Sequence, residues 1–263
     1  MRLEHKVAVI TGAGSGLGRA MALRFAEEGA TVLAADIDGD SARQVAAEIA
    51  ESGGNALPTR TDVTVREGVK EMVEVCRRDL GRVDILVNNA ARATDTDLQD
   101  VSEEEWDRDI EITLKSTFLC SQAVLPDMVA NGSGVILNIS SVNALAYYGN
   151  EAYSAAKAGV VSFTRSLAVR YGPSGIRANA IAPGSLKTPA WEERQKQDPS
   201  IFEDVAKWYP LGRMGEPEDV IGPALFLVSE EARWVSGAVL PVDGGLGAGN
   251  LQMTRDIVQR PRE

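Results

Sequence analysis

Short apolar runs alternate with longer amphipathic segments along almost the whole chain. Continuous runs such as V-A-V-I at residues 7–10 favour strands that are buried on both faces, as in a parallel sheet. Strands are predicted at residues 7–11, 31–35, 84–87, 135–139, 176–181 and 238–242, with a weaker one near 56–60. Intervening helices such as 18–28 and 41–51 stop at Gly29 and Gly53. This alternation predicts an α/β fold with a doubly wound, seven-stranded parallel sheet and helices on both faces, in a single domain over residues 1–263.

The segment from about residue 185 to 215 departs from this rhythm. It is polar and carries three prolines and four aromatic residues, among them Trp191 and Trp208. An insertion of this length favours a substrate lid over a merely structural excursion. The tail from about 247 to 263 mixes charges, and either frays in solvent or docks on a neighbouring subunit.

Composition and charge exclude several classes of function. With 27 Lys and Arg against 38 Asp and Glu, the net charge of −11 argues against nucleic-acid binding. The single histidine, His5, argues against a Ser-His-Asp hydrolase and a histidine metal site, so no metal is expected. No apolar run approaches the roughly 20 residues that span a bilayer, and residues 7–10 are too short for a signal peptide. We therefore expect a cytoplasmic protein in which Cys76 and Cys120 are core thiols rather than a disulfide.

A glycine-rich loop, T-G-A-G-S-G-L-G at residues 11–18, directly follows the first predicted strand and opens a helix. Glycines in this context allow close approach to a pyrophosphate, which the helix N-terminus attracts. Asp36 ends the second strand, where its carboxylate would accept hydrogen bonds from ribose hydroxyls and repel a 2′-phosphate. The alternative is a solvated turn aspartate. No Lys or Arg stands just before Gly16 or at position 37 to neutralise such a phosphate, and the nearest candidate, Arg43, has the pattern of an ordinary helix-surface charge. The sequence therefore favours NAD over NADP.

Tyr153 and Lys157 are four residues apart on a predicted helix and therefore share a face. A neighbouring cation favours the phenolate, although lowering a tyrosine pKa from near 10 to about 7 requires roughly 4 kcal/mol. Ser140 and Ser141 stand at the end of a buried strand shortly before this pair.

Together these motifs resemble the short-chain dehydrogenase/reductase family over almost the whole chain. The resemblance rests on the glycine loop, N-N-A at 88–90, the Tyr153/Lys157 pair, N-A-I-A-P-G at 179–184 and D-G-G at 243–245. It implies a single-domain Rossmann fold, a small-molecule alcohol or ketone substrate and a homotetramer.

The resemblance also implies the roles of individual residues. Tyr153 would be the general acid/base, Lys157 would lower its pKa and hold the nicotinamide ribose, and Ser141 would hydrogen-bond the reacting oxygen, with Ser140 as the alternative. Cofactor contacts are implied for Gly12, Ser15, Gly16, Leu17, Gly18, Asp36, Ile37, Asp62, Val63, Asn89, Ala90, Ala91, Tyr153, Lys157, Pro183, Gly184 and Thr188. Substrate contacts are implied for Ser141, Asn143, Tyr148, Tyr153 and Trp191, and Leu145, Tyr147 and Trp208 are expected to line the same pocket.

The sequence departs from the family pattern at two positions. Thr113 stands where the family has a catalytic asparagine that supports a proton-relay water, and in a helix its hydroxyl is expected to bond back to the carbonyl four residues earlier. Thr113 is therefore left outside the catalytic set. Ala91 replaces the usual glycine and adds a methyl group beside the nicotinamide.

The leading hypothesis is an NAD-dependent oxidoreductase that transfers a hydride between nicotinamide and a secondary alcohol or ketone. The alternatives are an NADPH-dependent carbonyl reductase and, in a different class, a non-catalytic dinucleotide-binding sensor. A methyltransferase is disfavoured because it leaves Tyr153 and Lys157 without a role.

Overall fold

A computed structural model describes residues 1–258, and its centre is a seven-stranded parallel sheet. The strands are β1 (Val7–Thr11), β2 (Thr31–Asp36), β3 (Asn55–Arg60), β4 (Ile85–Asn88), β5 (Gly134–Ile139), β6 (Ile176–Pro183) and β7 (Val239–Val242). Their order across the sheet is β3-β2-β1-β4-β5-β6-β7, and every neighbouring pair is parallel. The predicted doubly wound sheet is therefore confirmed, and β1 and β4, where the winding reverses, lie side by side.

Nine helices of six residues or more accompany the sheet within residues 1–258. They are α1 (Gly16–Glu27), α2 (Gly39–Glu51), α3 (Arg66–Leu80), α4 (Glu103–Ile110), α5 (Ser116–Asn131), α6 (Glu151–Tyr171), α7 (Glu192–Gln197), α8 (Ile201–Ala206) and α9 (Pro217–Val228). Over these residues, no helix combines the length and apolarity that a membrane span needs.

Alternate residues of each strand face two separate cores. In β1, Ala8 and Ile10 join a core with α1, α2 and α9, while Val7 and Val9 join a second core with α3, α5 and α6. This division follows from the two-residue period of a strand. It explains why the buried strands appear in the sequence as continuous apolar runs.

The helix boundaries differ slightly from those predicted. The structure starts α1 at Gly16 instead of residue 18, and α2 at Gly39 instead of residue 41. The side chain of Asp38 accepts a hydrogen bond from the Asp40 backbone N–H and caps α2. Apolar periodicity does not register such caps, because the first turn is polar.

The 185–215 segment contains a short 3₁₀ turn, Pro189–Trp191, followed by α7 and α8. The rings of Trp191 and Phe202 pack edge to face with their centroids 6.2 Å apart. Arg194 in α7 forms an ion pair with Asp95 in the loop after β4. Beyond residue 247 the chain forms short turns as far as Val258. The last five residues of the predicted tail lie outside the described residues.

Cys76 and Cys120 are both buried and unbridged, as predicted. Burial raises the pKa of each thiol to about 12, so both remain protonated and unreactive at neutral pH. They belong to the core between the sheet and helices α3 and α5.

A buried polar chain ties α6 to the middle of the sheet. The Asn88 side-chain amide donates to Asn138 Oδ1 over 2.8 Å, and Asn138 in turn donates to Thr164 Oγ1 over 2.8 Å. Thr164 Oγ1 donates to the carbonyl of Val160, within α6. All three side chains are buried, so each hydrogen bond satisfies groups that water does not reach.

We expect Asn138→Leu to destabilise the protein by about 2–4 kcal/mol, because it removes two buried hydrogen bonds. One N–H of the Asn88 amide then has no acceptor, although the amide still donates to Ser121, and Thr164 Oγ1 loses its donor. Urea unfolding followed by circular dichroism measures this change. Ser166→Ala serves as the control, since the Ser166 hydroxyl bonds only the Ser162 carbonyl on the exposed side of α6. A loss below about 0.5 kcal/mol for Asn138→Leu would show that the buried chain does not secure α6.

Candidate active site

The glycine loop turns tightly between β1 and α1. Gly12 and Gly16 have φ values of +63° and +50°, in the left-handed region that favours glycine. A Cβ on Gly18 would lie 1.9 Å from the Gly12 carbonyl oxygen, so this glycine allows the loop to close on the helix. The side-chain amide of Asn89, the first residue after β4, donates to the carbonyls of Thr11 and Gly12 and so holds the loop.

A cavity of about 860 Å³ opens beside this loop. Of the residues predicted to contact a cofactor, it is lined by Gly12, Ser15, Gly16, Leu17, Asp36, Ile37, Asp62, Val63, Asn89, Ala90, Ala91 and Thr188. Gly18 does not line it and serves instead the packing of loop against helix. The glycine cradle, the helix N-terminus beside it and the volume of the cavity fit a dinucleotide.

Asp36 contributes a negative charge to the lining of this cavity. Asp36 accepts hydrogen bonds from the backbone N–H groups of Gly14, at 2.8 Å, and Asp38, at 3.0 Å, which fix its carboxylate beside the loop. Arg43 is paired with Asp40. A second cation near Asp36, which the sequence analysis did not indicate, is Arg60. Its Nε donates to the Ile37 carbonyl over 3.3 Å.

A second cavity of about 1100 Å³ adjoins the first, and Leu17, Asn89, Ala91, Arg92 and Thr188 line both. Its other predicted members are Ser140, Ser141, Asn143, Tyr148, Tyr153, Lys157, Pro183, Gly184, Trp191 and Trp208. The expectation for Leu145 and Tyr147 is wrong, because both side chains are exposed outside the cavity. The Tyr147 hydroxyl donates to Glu151 at the surface.

Lys157 is buried at the base of this second cavity, with 2% of its surface exposed. Its ammonium donates a hydrogen bond to the Ile139 carbonyl at the end of β5, and Nζ lies 5.4 Å from the centroid of the Tyr153 ring. Burial lowers the pKa of Lys157 to about 7, since the charged amine loses its hydration.

Burial also favours the neutral form of the Tyr153 phenol. Burial raises its pKa above the ordinary value, the Ser141 hydroxyl lowers it, and the charge of Asp109 raises it further. Lys157 is not among the groups that lower this pKa, because its amine is directed at the Ile139 carbonyl and is itself only partly charged near neutral pH. That Lys157 lowers the pKa of the phenol during the reaction stays a prediction. Tyr153 keeps its proton at neutral pH.

The two candidate serines have different surroundings. Ser140 donates to the Lys157 carbonyl over 3.1 Å and so binds helix α6. The Ser141 hydroxyl interacts with Tyr153 and donates to Asn143 Oδ1 over 3.1 Å. Ser141 is thus the serine that lies against the phenol.

Thr113 does not bond back along its own helix. It lies in a single π-helical turn, Glu111–Lys115, between α4 and α5. Its hydroxyl accepts from the Arg92 backbone N–H at 3.3 Å and donates to the Arg92 carbonyl at 3.2 Å. The expectation of a bond to the carbonyl four residues earlier is therefore wrong, because the loop after β4 offers both partners.

Several polar residues of this region were not found by the sequence analysis. Asp109 is buried and accepts from the backbone N–H of Thr94, at 2.7 Å, and from its hydroxyl, at 3.0 Å. Asn150, in the left-handed region with φ +55°, donates to the Thr94 carbonyl and lines the larger cavity. Asp109 follows other charged residues in α4, so the sequence alone indicated a solvated helix surface.

The fold and the glycine-loop cavity define the chain as a protein of the dinucleotide-binding Rossmann type. The family described as Enoyl-(acyl carrier protein) reductase matches residues 12–247. The chain is 43% identical over 249 residues to a 3-oxoacyl-(acyl-carrier-protein) reductase of Thermotoga maritima, covering 94% of this chain and 99% of the relative.

Two solved structures are similar throughout. A Burkholderia thailandensis oxidoreductase of the short chain dehydrogenase/reductase family superposes with a TM-score of 0.88 at 41% identity, over 97% of this chain and 98% of its own. A putative NAD(P)-dependent gluconate 5-dehydrogenase from Beutenbergia cavernae, with bound NADP at low occupancy, gives 0.88 at 38% identity, over 94% and 98%. The chain belongs to the short-chain dehydrogenase/reductase family.

The burial of the Lys157 amine can be tested through the pH dependence of the free energy of unfolding. Its pKa is about 7 in the fold and about 10.5 in the unfolded chain, so the unfolded chain binds more protons between these values and this group's contribution to stability rises with pH there. We expect Lys157→Met, in the absence of cofactor, to gain more stability at pH 6 than at pH 9.5, by about 3 kcal/mol. Urea unfolding at both pH values measures it, and a pH-independent difference would contradict the buried amine.

Proposed function

We propose that the protein is an NAD-dependent oxidoreductase that transfers a hydride between a nicotinamide cofactor and a secondary alcohol or ketone. One observation carries the proposal: Ser141, Tyr153 and Lys157 line a single cavity that adjoins the glycine-loop cleft. Membership of the family and the ketone substrate named for the Thermotoga relative support it.

Tyr153 is the group that exchanges a proton with the substrate oxygen. In ketone reduction the phenol donates its proton to the oxygen as the carbonyl carbon gains a hydride, and in alcohol oxidation the same atoms move in reverse. When bound, the nicotinamide supplies or accepts that hydride. Because burial holds the phenol protonated at neutral pH, Tyr153 is prepared for the direction of reduction before the cofactor enters.

Ser141 and Lys157 support this exchange in different ways. The Ser141 hydroxyl lies against the phenol and would donate a hydrogen bond to the substrate oxygen as its charge grows. Lys157, next to the ring, would hold the ribose of the cofactor and raise the acidity of the phenol when protonated. Thr113 takes no part, since its hydroxyl is occupied by the Arg92 backbone.

Asp36 favours NAD over NADP. Its carboxylate is fixed by Gly14 and Asp38 at the end of the cofactor cavity, where a 2′-phosphate would meet a negative charge. The alternative, an NADPH-dependent reductase, is supported by the NADP in the Beutenbergia structure and by Arg60 close behind Ile37. Steady-state rates with both cofactors decide: a preference for NADPH would overturn the cofactor assignment and leave the reaction intact.

We further propose a cytoplasmic homotetramer that acts on small molecules and binds neither membrane nor nucleic acid. The acidic net charge of −11 and the exposed apolar side chains of Phe118 on α5 and Val169 on α6 support it. Native mass spectrometry reports the number of subunits. A monomer at micromolar concentration would contradict the assembly.

We expect Tyr153→Phe to lower kcat at least a hundredfold, because it removes the proton carrier and keeps the ring. Cofactor affinity, measured by fluorescence of the reduced nicotinamide, should change less than about twofold. Tyr147→Phe is the matched control, since its hydroxyl bonds Glu151 outside the cavity.

Near-wild-type turnover in Tyr153→Phe would contradict the acid/base assignment. A wild-type protein that binds cofactor and oxidises none of a panel of secondary alcohols would favour the alternative class, a non-catalytic dinucleotide sensor.

A further inference from the structure

Arg92 lies where the two cavities of the active site meet. It follows Ala91 in the loop after β4, lines both cavities, and has 44% of its side chain exposed. A cation at this junction borders both the nicotinamide end of the cofactor cleft and the space left for substrate.

The backbone of Arg92 is held in place by Thr113. The Thr113 hydroxyl accepts from the Arg92 N–H and donates to the Arg92 carbonyl, so one side chain fixes both main-chain groups of this residue. Thr113 is 1% exposed, and water therefore does not compete for these bonds. The threonine that stands at position 113 in place of the family's asparagine thus fixes the loop that carries Arg92.

The side chain of Arg92 is held by charge and not by hydrogen bonds. Its Nε lies 3.8 Å from Asp109 Oδ1, too far for a hydrogen bond, and the oxygens of Asp109 already accept from Thr94. Across residues 1–258 the Arg92 guanidinium has no hydrogen-bonded partner. Its donors, which match a carboxylate in geometry, remain available.

The other charges around the larger cavity do not replace Arg92. Arg194 is in direct contact with Asp95, which engages its guanidinium, whereas Asp109 stays beyond hydrogen-bond distance of Arg92. Lys157 is buried against Ile139, and Glu193 on α7 accepts a hydrogen bond from Gln197. Among the cations that line the larger cavity in residues 1–258, Arg92 is thus the one whose guanidinium donors are free for an incoming anion.

We propose that Arg92 binds a carboxylate group of the substrate, so that the protein acts on hydroxy acids or oxo acids. Thr113 and Asp109 are positioning residues, the first for the backbone of Arg92 and the second for its guanidinium. This inference rests on the proposed function, which supplies the secondary alcohol or ketone at the other end of the same molecule.

Binding of oxo acids to the full chain saturated with NAD tests the proposal, because a ketone and oxidised cofactor cannot react. The probes are acetoacetate and 4-oxopentanoate, each compared with its neutral methyl ester by titration calorimetry. We expect at least one acid to bind about tenfold or more tightly than its ester, as a charge-assisted contact provides. In Arg92→Gln this ratio should fall to about one, with the affinity for NAD unchanged within twofold.

Two further variants separate recognition from folding. Arg165→Gln removes the same charge from the exposed side of α6 and should keep the ratio. Thr113→Val keeps the shape of the side chain and loses both bonds to Arg92, so the ratio should fall, whereas Thr113→Ser should restore it. A purely structural role for Thr113 would lower stability without moving this ratio.

Equal binding of acids and esters, no binding of either acid, or a preference that survives Arg92→Gln would overturn the proposal. A large loss of NAD affinity in Arg92→Gln with the ratio unchanged would assign Arg92 to the cofactor instead. These results are distinct from failure of the proposed function, in which no secondary alcohol is oxidised whether or not it carries a carboxylate.

Discussion

The packing of α6 on the end of β5 determines where every reactive group of this protein lies. Ser140, the first residue after β5, donates to the Lys157 carbonyl, and the Lys157 ammonium donates back to the carbonyl of Ile139. Earlier in β5, Asn138 donates to Thr164, which lies about two helical turns beyond Lys157 in α6. Because strand and helix are joined by these reciprocal bonds, Tyr153 is fixed beside Lys157 in the lining of the cavity.

The same burial that fixes these groups also removes their charges. The amine of Lys157 and the phenol of Tyr153 are both displaced toward their neutral forms, the first with a pKa of about 7 and the second with a raised pKa. A pair of neutral groups is less costly to bury than a separated phenolate and ammonium. The phenol of Tyr153 therefore keeps its proton in the protein without cofactor, and its ionisation requires additional positive charge close to it.

Much of this arrangement follows from the sequence. Strands and helices were predictable because buried parallel strands are continuous apolar runs, and the glycine loop was predictable because only glycine tolerates its φ values and its close contact with α1. The cavity residues near Tyr153 and Asp36 were found through the resemblance to a family. The contacts between the 185–215 segment and the loop after β4 could not be predicted, because residues that meet in space, such as Asp95 and Arg194, are far apart along the chain.

Two features of the site escaped the sequence for a common physical reason. A lysine one turn from Tyr153 favours the phenolate, but proximity on a helix does not report burial, which raises the pKa of the phenol and lowers the pKa of the amine. Thr113 was expected to bond within its helix, but the π-helical turn brings it against Arg92. Asp109 was not recognised as buried because it follows other charged residues in α4, and the periodicity of a sequence cannot show which loop covers a helix.

The central claim is that a hydride passes directly from a substrate carbon to a cofactor held beside Tyr153. Incubation with NAD and a panel of secondary hydroxy acids and neutral alcohols deuterated at the carbinol carbon, followed by mass spectrometry of the reduced nicotinamide, measures this transfer. The account predicts reduced cofactor that carries one deuterium for each ketone formed. Reduced cofactor without the label, or cofactor that binds and is never reduced by any member of the panel, would contradict it.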